Sequence, residues 1–320
     1  MLFAAVSATR RSLYRLGLRR AQRVGVPVIV VGNLIVGGAG KTPTVIAVVA
    51  ALRRHGYTPG VVARGYGAAI DGVLEVTRAL HAEQCGDEPL LIHLRSGAPV
   101  VVGRDRITAA RHVLRRRSEV DVIVSDDGLQ HLALARDAQV LVFDERGAGN
   151  GWLLPAGPLR EPLPRAVPPR SLVLYNAAAA STPLPGSLAG RSLAGVMPLR
   201  DWWHGNACTT ATLASLHGRP LLAAAGMAQP ERFFGMLRDA GLTFAPLPLP
   251  DHHDYHTLPW PADTADVIVT EKDAIKLRPE RIGSTRVWVA PLDFALDPAF
   301  EAALVALLPA PGSRHGNTLA

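Results

Sequence analysis

The stretch from Val28 to Pro43, VIVVGNLIVGGAGKTP, constrains the fold more than any other part of the chain. It opens with an uncharged β-branched run, Val28 to Val31, which is typical of a strand buried on both faces. A glycine-rich turn and Gly-Lys-Thr follow, and the apolar stretch from Pro43 to Leu52 predicts a helix with proline in its first turn. This order of strand, glycine-rich turn and helix predicts a phosphate-binding loop.

Such a loop binds phosphate through backbone geometry and charge. Its glycines let backbone N–H groups face an anion, and the helix N-terminus adds a partial positive charge. Lys41 then reaches the outer phosphates, and the Thr42 hydroxyl binds Mg²⁺. The usual pattern, G-x-x-x-x-G-K-[ST], has a glycine where this chain has Ile35. A glycine-rich surface turn is therefore the alternative, but the order of the elements favours the phosphate loop.

Composition limits the classes of protein that the chain can belong to. Its 320 residues suffice for one large or two modest domains. With 19% charged residues and a mean hydropathy of +0.16, it is neither a disordered chain nor a multi-span membrane protein. Cys85 and Cys208 predict neither a disulfide framework nor a CxxC metal site, which fits a reducing compartment. We find no cleavable signal peptide and no run of about 18 apolar residues that would span a bilayer.

Positive charge dominates, with a net charge of +7 and a pI near 10.0. This balance suits a polyanionic partner such as nucleic acid, anionic lipid or a phosphorylated substrate, although a base-composition bias of the genome would also produce it. Only three of the 34 Lys and Arg residues are lysines: Lys41, Lys272 and Lys276. Because lysine is so rare in this chain, the lysine in the phosphate loop favours a functional role over a chance occurrence.

The first 23 residues mix apolar side chains with arginines and predict a basic amphipathic helix. Such a helix can lie on an anionic membrane surface, or it can pack on the domain with its arginines in solvent. Composition alone leaves both interpretations open.

Acidic residues follow a second predicted strand of the nucleotide site. Val120 to Val124 is a buried apolar run, and Asp126 and Asp127 come directly after it. In nucleotide-binding folds a carboxylate at this place holds Mg²⁺ directly or through water. Further short strands alternate with helices, for example Val61 to Ala63 and Val140 to Phe143. The pattern predicts an α/β fold with a parallel sheet and helices on both of its faces.

The stretch from Gly147 to Pro169 is rich in glycine and proline and predicts a long ordered loop that leads to a second α/β half. A plain linker is the alternative, but it would not need Trp152.

The segment Pro250 to His256 then brings three histidines and two aspartates together. Adjacent histidines are poorly spaced for one tetrahedral zinc site, so acid–base work or the orientation of a carboxylate is favoured. From the residues alone, Asp87 is more readily a helix cap than a catalytic group.

The chain contains a set of short motifs in a fixed order: Val31–Pro43, Arg64–Gly67, Gly86–Pro89, Asp126–His131, Gly149–Trp152 with Leu154–Pro158, Asp251–His252 and Thr270–Asp273. Together they resemble the tetraacyldisaccharide 4′-kinases, the lipid A 4′-kinase family of Gram-negative bacteria. The resemblance covers nearly the whole chain, from about residue 1 to about residue 308. A phosphate loop alone is generic, whereas the ordered set is highly specific, and the displaced first glycine is a trait of the family.

The resemblance implies a P-loop domain with a parallel sheet and a smaller α/β lobe, joined by a two-stranded hinge with the site between them. It implies transfer of the γ-phosphate of ATP, with Mg²⁺, to the 4′-hydroxyl of a tetraacylated glucosamine disaccharide 1-phosphate, which forms lipid IVA. The enzyme would be a monomer on the cytoplasmic face of the inner membrane, with no nucleic-acid partner. We predict four regions: a basic amphipathic, membrane-associating N-terminal helix 1–24, the P-loop kinase domain 25–165, the smaller α/β lobe 166–310 with the Asp-His motif, and a disordered tail 311–320.

The resemblance also assigns roles to residues. Asp87 becomes the base that accepts the sugar hydroxyl proton, and His252 pairs with it. Glu161 is a weaker candidate for the nucleotide or metal site, and Asp126 is a safer Mg²⁺ ligand than Asp127. The predicted metal ligands are Thr42, Asp126 and Asp127, and the predicted phosphate-binding backbone comprises Ile35, Val36, Gly37, Gly38, Ala39, Gly40, Lys41 and Thr42.

One departure from the family concerns the N-terminus, because members of the family often begin with a longer and more hydrophobic anchor.

Three other functions fit the general layout. A P-loop GTPase or metallochaperone would need a guanine-reading N-K-x-D segment or a Cys/His cluster, which we do not find. An ATP-dependent carboxylate–amine ligase would differ only in its substrate, and a basic nucleic-acid binder would show salt-dependent DNA binding without ATP turnover.

Overall fold

A computed structural model of the chain describes residues 2–313. Its elements are, in chain order, α1 (Leu2–Arg15), β1 (Val28–Gly32), α2 (Lys41–Arg54), β2 (Pro59–Ala63), β3 (Val73–Glu75), α3 (Ala82–Cys85), α4 (Asp87–Ser96), β4 (Val100–Gly103), α5 (Arg106–Arg116), β5 (Val122–Asp126), β6 (Ala138–Phe143), β7 (Ser171–Tyr175), β8 (Ser187–Leu188), β9 (Gly190–Leu193), β10 (Met197–Pro198), α6 (Leu199–His204), α7 (Thr210–Ala214), β11 (Leu222–Ala225), α8 (Pro230–Asp239), β12 (Ala245–Pro248), β13 (Asp266–Thr270), α9 (Glu271–Ala274), a 3₁₀ helix (Pro279–Arg281), β14 (Arg286–Ala290), β15 (Leu292–Ala295) and α10 (Pro298–Ala306).

A large sheet forms the centre of the first lobe, with the strand order β3-β4-β2-β5-β1-β6-β7-β8. All neighbours are parallel except the edge strand β3, which runs antiparallel to β4. The central strand β1 is buried on both faces, because alternate residues enter different hydrophobic clusters: Ile29 and Val31 join one, and Val28 and Val30 join the other. The β-branched run therefore forms the expected doubly covered strand. The predicted α/β fold with a parallel sheet is confirmed.

Register explains why the acidic pair lies beside the phosphate loop. β1 lies between β5 and β6, and its residue Val31 is paired with Asp126 at the end of β5. Parallel strands present their carboxyl ends at one edge, so the loop after β1 and the acids after β5 meet there. After the loop in the chain, α2 buries an apolar stripe with helical spacing that consists of Val45, Val48, Val49 and Leu52.

The large sheet corrects the predicted boundary at residue 166. Strand β7 pairs in parallel with β6, and β8 pairs with β7, so both belong to the first lobe although they follow that residue. The sequence suggested a boundary because the Gly- and Pro-rich stretch 147–169 precedes them. This stretch is not a linker. It folds back onto the phosphate loop, and the chain then continues into β7 of the same sheet.

The second lobe has its own sheet, with the order β10-β14-β13-β11-β12. Its strands are parallel apart from β10, which runs antiparallel to β14. The chain enters this lobe through β9 and leaves it through β15, and these two strands pair antiparallel with each other. The helix after β15, α10, packs on α2 and β7 of the first lobe. The β9–β15 pair is thus a two-stranded connection of the kind that the resemblance implies.

The N-terminal helix is shorter than predicted, because α1 ends at Arg15 and a turn with Gly17 in the left-handed region follows it. Leu16 and Leu18 lie in this turn and expose 72% and 71% of their surface. None of the helices in residues 2–313 combines the length and the apolar character that crossing a bilayer requires. Of the predicted disordered tail, residues 311–313 form a turn in which Gly312 donates a hydrogen bond to Asp121, and residues 314–320 lie outside the described range.

Candidate active site

Side-chain donors bind four backbone carbonyl groups of the phosphate loop. Arg146 donates to the carbonyls of Val36 and Gly38 at 3.4 and 3.0 Å. Asn33 Nδ2 donates to the Gly37 carbonyl at 3.1 Å, and Asn176 Nδ2 donates to the Ala39 carbonyl at 3.2 Å. Four consecutive carbonyls thus have side-chain partners. With these carbonyls engaged, the N–H groups are the groups that the loop can offer to an anion.

Gly40 must be glycine for two reasons. Its φ of 87° lies in the left-handed region, and a Cβ built on it would come within 2.0 Å of Asn176 Nδ2. Asn176 itself is buried, and its Oδ1 has no hydrogen-bond partner in the described part of the chain. The tight approach of Asn176 to Gly40 fixes the point at which the loop becomes helix α2.

Ile35 and Val36, both predicted to bind phosphate through their backbone, pair with another loop of the first lobe. The Val36 N–H donates to the Pro158 carbonyl at 2.9 Å, and Ile35 forms an antiparallel bridge with Leu159. The Val36 amide is therefore already paired, and the Ile35 side chain is fully buried in the core. This pairing also explains the displaced glycine, since a strand-like, core-facing position suits isoleucine. The Val36 N–H is thus bonded within the protein, and the phosphate-binding role of the other loop amides stays a prediction.

Lys41 and Thr42 occupy the first turn of α2, as the loop pattern predicts. Lys41 Nζ donates to Asn33 Oδ1 at 3.1 Å and lies 3.8 Å from Asp127 Oδ1. The ammonium group therefore rests between the amide and the carboxylate, over the loop. Thr42 lines the same cleft and is partly exposed there. Both side chains are available to a ligand at the N-terminus of α2.

Asp126 is the buried acid of the site, with 7% of its surface exposed. Burial raises the pKa of its carboxyl to about 7, and the neighbouring Glu88 charge acts in the same direction, against the opposing effect of Lys41. Its Oδ1 is buried and has no hydrogen-bond partner within residues 2–313. A buried carboxylate oxygen without a donor fits a bound cation, which would supply the missing charge.

Asp127 and Glu161 are engaged with arginines. Asp127 has a positive φ of 46° and pairs with Arg160 at 3.1 Å in addition to Lys41. Glu161 accepts a hydrogen bond from Gln130 at 3.2 Å and lies 3.7 Å from Arg11 of α1. Both acids line the cleft, but neither is as free of partners as Asp126. Glu161 ties the N-terminal helix to the rim of the nucleotide site.

Asp87 does not cap a helix, because it is the first residue of α4 and makes no capping hydrogen bond. Its Oδ2 instead lies 2.9 Å from His252 Nδ1 and 3.0 Å from Lys276 Nζ. Asp87 belongs to the first lobe, and both partners belong to the second. His252 has a positive φ of 61°, an unfavourable conformation for a non-glycine residue that places its ring toward the first lobe.

A cleft of about 1460 Å³ between the lobes contains both groups of residues. Gly37, Lys41 and Asp126 line it on one side, and Asp87 and His252 line it where the lobes meet. In the described residues, no group of three or more His, Cys, Asp or Glu side chains is arranged to hold a metal ion by itself, which also applies to the histidine-rich segment 250–256. A metal in the cleft would therefore need ligands such as Thr42 or phosphate oxygens beside the carboxylate.

Comparison with known proteins gives a consistent result. A family model described as tetraacyldisaccharide-1-P 4′-kinase matches residues 1–309. The chain belongs to the tetraacyldisaccharide 4′-kinase family. A tetraacyldisaccharide 4′-kinase from Methylibium petroleiphilum is 60% identical over 98% of this chain and 90% of its own length. One from Leptothrix cholodnii is 55% identical over 97% of this chain and 90% of its own length. The predicted resemblance is confirmed.

A solved structure agrees in fold. The crystal structure of LpxK from Aquifex aeolicus in complex with ATP superposes with a TM-score of 0.78 at 25% identity, and the match covers 96% of both chains. The two-lobed architecture is therefore shared with an ATP-bound kinase of the same family.

Seven residues of the site have no role that the sequence alone assigns: Asn33, Glu88, Arg146, Arg160, Asn176, Lys272 and Lys276. Asn33 lies within the phosphate loop itself, whereas Arg146 and Asn176 reach that loop from more than 100 residues away. Only the lysines carried a signal, namely their rarity. All three lysines of the chain line the cleft or contact a residue that lines it.

Proposed function

We propose that this chain transfers the γ-phosphate of ATP to the 4′-hydroxyl of a tetraacylated glucosamine disaccharide 1-phosphate, forming lipid IVA. One observation carries the proposal: a phosphate loop and an aspartate–histidine pair face each other across one cleft. Phosphoryl transfer requires the acceptor hydroxyl and the phosphate of the donor to be held in line. It requires little covalent chemistry from the protein. Family membership supplies the identity of the acceptor.

The transfer balances as a single displacement. The acceptor 4′-O–H bond breaks while the new O–P bond to the γ-phosphorus forms, and the bond between that phosphorus and the oxygen of ADP breaks. The electron pair of this last bond stays on ADP. Asp87 accepts the hydroxyl proton, and His252, 2.9 Å away, holds the carboxylate in place across the two lobes.

Residues of the first lobe would hold the nucleotide. Backbone amides from Gly37 onward and the N-terminus of α2 face the β- and γ-phosphates, and Lys41 balances the charge that develops on them. Thr42 and Asp126 would hold Mg²⁺, and Asp126 is the better carboxylate ligand because its Oδ1 is buried without a donor. When bound, Mg²⁺ would neutralise part of the charge of the phosphate oxygens.

The lipid acceptor requires access from a membrane, and we propose that the N-terminal segment provides it on the cytoplasmic face of the inner membrane. Leu16 and Leu18 are exposed, and Arg15, Arg19 and Arg20 beside them are exposed as well. This combination of apolar and basic side chains suits the headgroup region of an anionic bilayer. Helix α1 also lines the cleft with Val6 and Arg10, so the segment would join the membrane surface to the site.

The first experiment measures ATP-dependent phosphate transfer to the tetraacylated disaccharide 1-phosphate in detergent micelles, with Mg²⁺ and with EDTA. The expected result is a Mg²⁺-dependent product that disappears in the Lys41→Ala variant. Folded protein that binds ATP and yet makes no product would overturn the proposed acceptor, while the phosphate loop would stand.

Membrane binding has a separate test. We expect co-flotation with vesicles of phosphatidylglycerol and phosphatidylcholine, weaker binding at high salt and little binding to phosphatidylcholine alone. The variant Leu16→Asp/Leu18→Asp should lose this binding and keep its activity toward micellar substrate. Undiminished flotation of the variant would contradict a role for the segment.

A further inference from the structure

We infer that Lys276 is a positioning residue for the transfer, because it holds the Asp87 carboxylate so that one oxygen remains open to the acceptor hydroxyl. The inference rests on the proposed function, in which Asp87 is the base. It adds a residue from the second lobe that the motifs of the sequence did not indicate, and it gives that residue a defined contact.

The two donors to Asp87 converge on a single oxygen. Lys276 Nζ lies 3.0 Å from Oδ2, and His252 Nδ1 lies 2.9 Å from the same atom. Within residues 2–313, Oδ1 receives no hydrogen bond or ion pair. Two partners on one oxygen fix the plane of the carboxylate, and Oδ1 is then the atom that can accept a proton from the cleft.

Lys276 is itself firmly held. Its side chain is only 7% exposed, and its Nζ also donates to the backbone carbonyl of His253 at 2.9 Å. The same ammonium thus contacts the base and the backbone of the residue that follows His252. Through this bridge, Lys276 sets the distance between α4 of the first lobe and the histidine-rich segment of the second.

The charge of Lys276 matters as much as its hydrogen bonds. The Asp87 side chain is only 15% exposed, and a carboxylate removed from water in this way needs a compensating partner. A compact ammonium can satisfy a carboxylate and a carbonyl in a narrow space, whereas the planar fork of arginine is bulkier. In a chain where only three of 34 basic residues are lysines, the choice of lysine here agrees with this requirement.

Lys276 differs from the other lysine beside the pair. Lys272 Nζ lies 2.8 Å from Asp251 Oδ1 and 3.3 Å from His252 Nε2, and no contact joins it to Asp87. Lys272 therefore contacts His252 Nε2, the imidazole nitrogen that faces away from Asp87, while Lys276 contacts the base directly. During the transfer the proton passes from the acceptor hydroxyl to Asp87 Oδ1, and Lys276 neither gains nor loses a proton.

The test is a double-mutant cycle between Lys276→Met and Asp87→Asn, with kcat and the KM for ATP measured on the micellar acceptor. We expect Lys276→Met to lower kcat about 10- to 100-fold, the range for loss of a hydrogen bond to a charged group, with the KM for ATP unchanged. Because Lys276 acts through Asp87, the double variant should be no slower than Asp87→Asn alone. A general structural defect would instead give additive losses.

A matched control comes from another ion pair of the second lobe. Arg286 pairs with Asp266, a buried aspartate, at 2.6 Å and lies outside the cleft. Arg286→Met should lower the thermal midpoint and leave kcat unchanged. The control thus separates the general effect of removing the partner of a buried carboxylate from the specific effect of removing the partner of Asp87. If Lys276→Met does not fold, Lys276→Gln replaces it, since glutamine keeps a donor for the His253 carbonyl.

Wild-type kcat in Lys276→Met, or losses that add to those of Asp87→Asn, would overturn the inference. It would also be overturned if neither Lys276 variant folds, because the residue would then be structural. Failure of the proposed function is distinguishable, because in that case the wild-type protein itself makes no product, and the inference fails with it.

Discussion

The two halves of the cleft are built in different ways. We call the phosphate loop and Asp126 the nucleotide half, because we propose that they hold the nucleotide. This half lies in one lobe, at one sheet edge, and its main chain runs continuously from β1 through the loop into α2. The acceptor half is assembled across the lobes, since Asp87 opens α4 and its partners His252 and Lys276 lie at least 165 residues later. The first half is present whenever the large sheet folds, whereas the second exists only while the lobes are docked.

Nucleotide binding and proton transfer should therefore depend on different parts of the molecule. In the proposed arrangement the phosphates of the nucleotide bind groups of the first lobe, so nucleotide affinity should tolerate changes in the second. The proton acceptor is complete only when the second lobe contributes its donors, so turnover should respond to changes in either lobe. Four predictions test this division, in order of decreasing effect.

The largest effect is expected at Lys41, to which we assign both nucleotide binding and charge stabilisation. Lys41→Met should lower kcat/KM by about 10³-fold, the cost of losing one positioned charge-stabilising donor, and should also weaken ATP binding. Steady-state kinetics and calorimetric ATP titration measure the two effects. Arg53→Met, near the other end of α2, is the control and should change neither. A Lys41→Met enzyme with normal ATP affinity would contradict the assignment of Lys41 to the nucleotide half.

Asp87 should show the opposite division between binding and turnover. Asp87→Asn should lower kcat by about 10²- to 10³-fold, the usual contribution of a general base, while the Kd for ATP stays at the wild-type value. Single-turnover kinetics and equilibrium ATP binding provide the two measurements. Equal losses in turnover and in ATP affinity would remove Asp87 from the role of base.

Docking of the lobes can be weakened at a residue of the cleft that contacts neither Lys41 nor Asp87. Glu271 of α9 is buried and accepts hydrogen bonds from Arg95 of α4, from Trp202 Nε1 at 2.9 Å and from the Leu292 N–H at 3.2 Å. Glu271→Gln removes the charge opposite Arg95, so we expect about a fivefold loss of kcat through misplacement of the acceptor half. The Kd for ATP should remain unchanged. A parallel loss of ATP affinity would show that the nucleotide half also depends on docking.

The smallest effect is one of stability in the nucleotide half. The pKa of Asp126 is raised by burial to about 7, so the folded protein binds a proton there that the unfolded chain releases above about pH 4. The stability due to the neutral carboxyl is fully present below pH 4 and is lost as the pH rises through 7. In EDTA and without nucleotide, Asp126→Asn should therefore melt about 3 °C above wild type at pH 8 and match it near pH 4. Parallel melting curves across this range would contradict the shift.

Much of the nucleotide half could be predicted from the sequence because it is local. The run from Val28 to Leu52 determines a strand, a loop and a helix through hydrophobic spacing and glycine placement alone. The acids after Val124 could be placed beside it because parallel strands end at a common edge. What local reasoning missed was the pairing of Val36 with Pro158, which removes an amide from the loop. That pairing depends on the path of a loop more than 120 residues away.

The acceptor half could not be derived from local pattern. Asp87 precedes a helix, so the sequence favours a cap, and only the resemblance to a family assigned it to catalysis. Lys276 follows a short helix and has no distinguishing spacing, since its contact exists only after two lobes and a two-stranded connection have brought α4 to the histidine-rich segment. The boundary at residue 166 failed for a similar reason, because glycine and proline indicate an irregular path but not the sheet to which the chain returns.

The scarcity of lysine has a practical consequence. Reagents that acylate primary amines find three side chains in this protein besides the α-amino group. Lys41 and Lys272 line the cleft, and Lys276 contacts Asp87, which lines it. Lys272 is the most open, with 26% of its side chain exposed, and Lys276 the least, with 7%. Mass spectrometry of brief amine labelling would thus give a map of occupancy in this one region. Protection of Lys41 would report on the nucleotide, and protection of Lys276 on contact between the lobes.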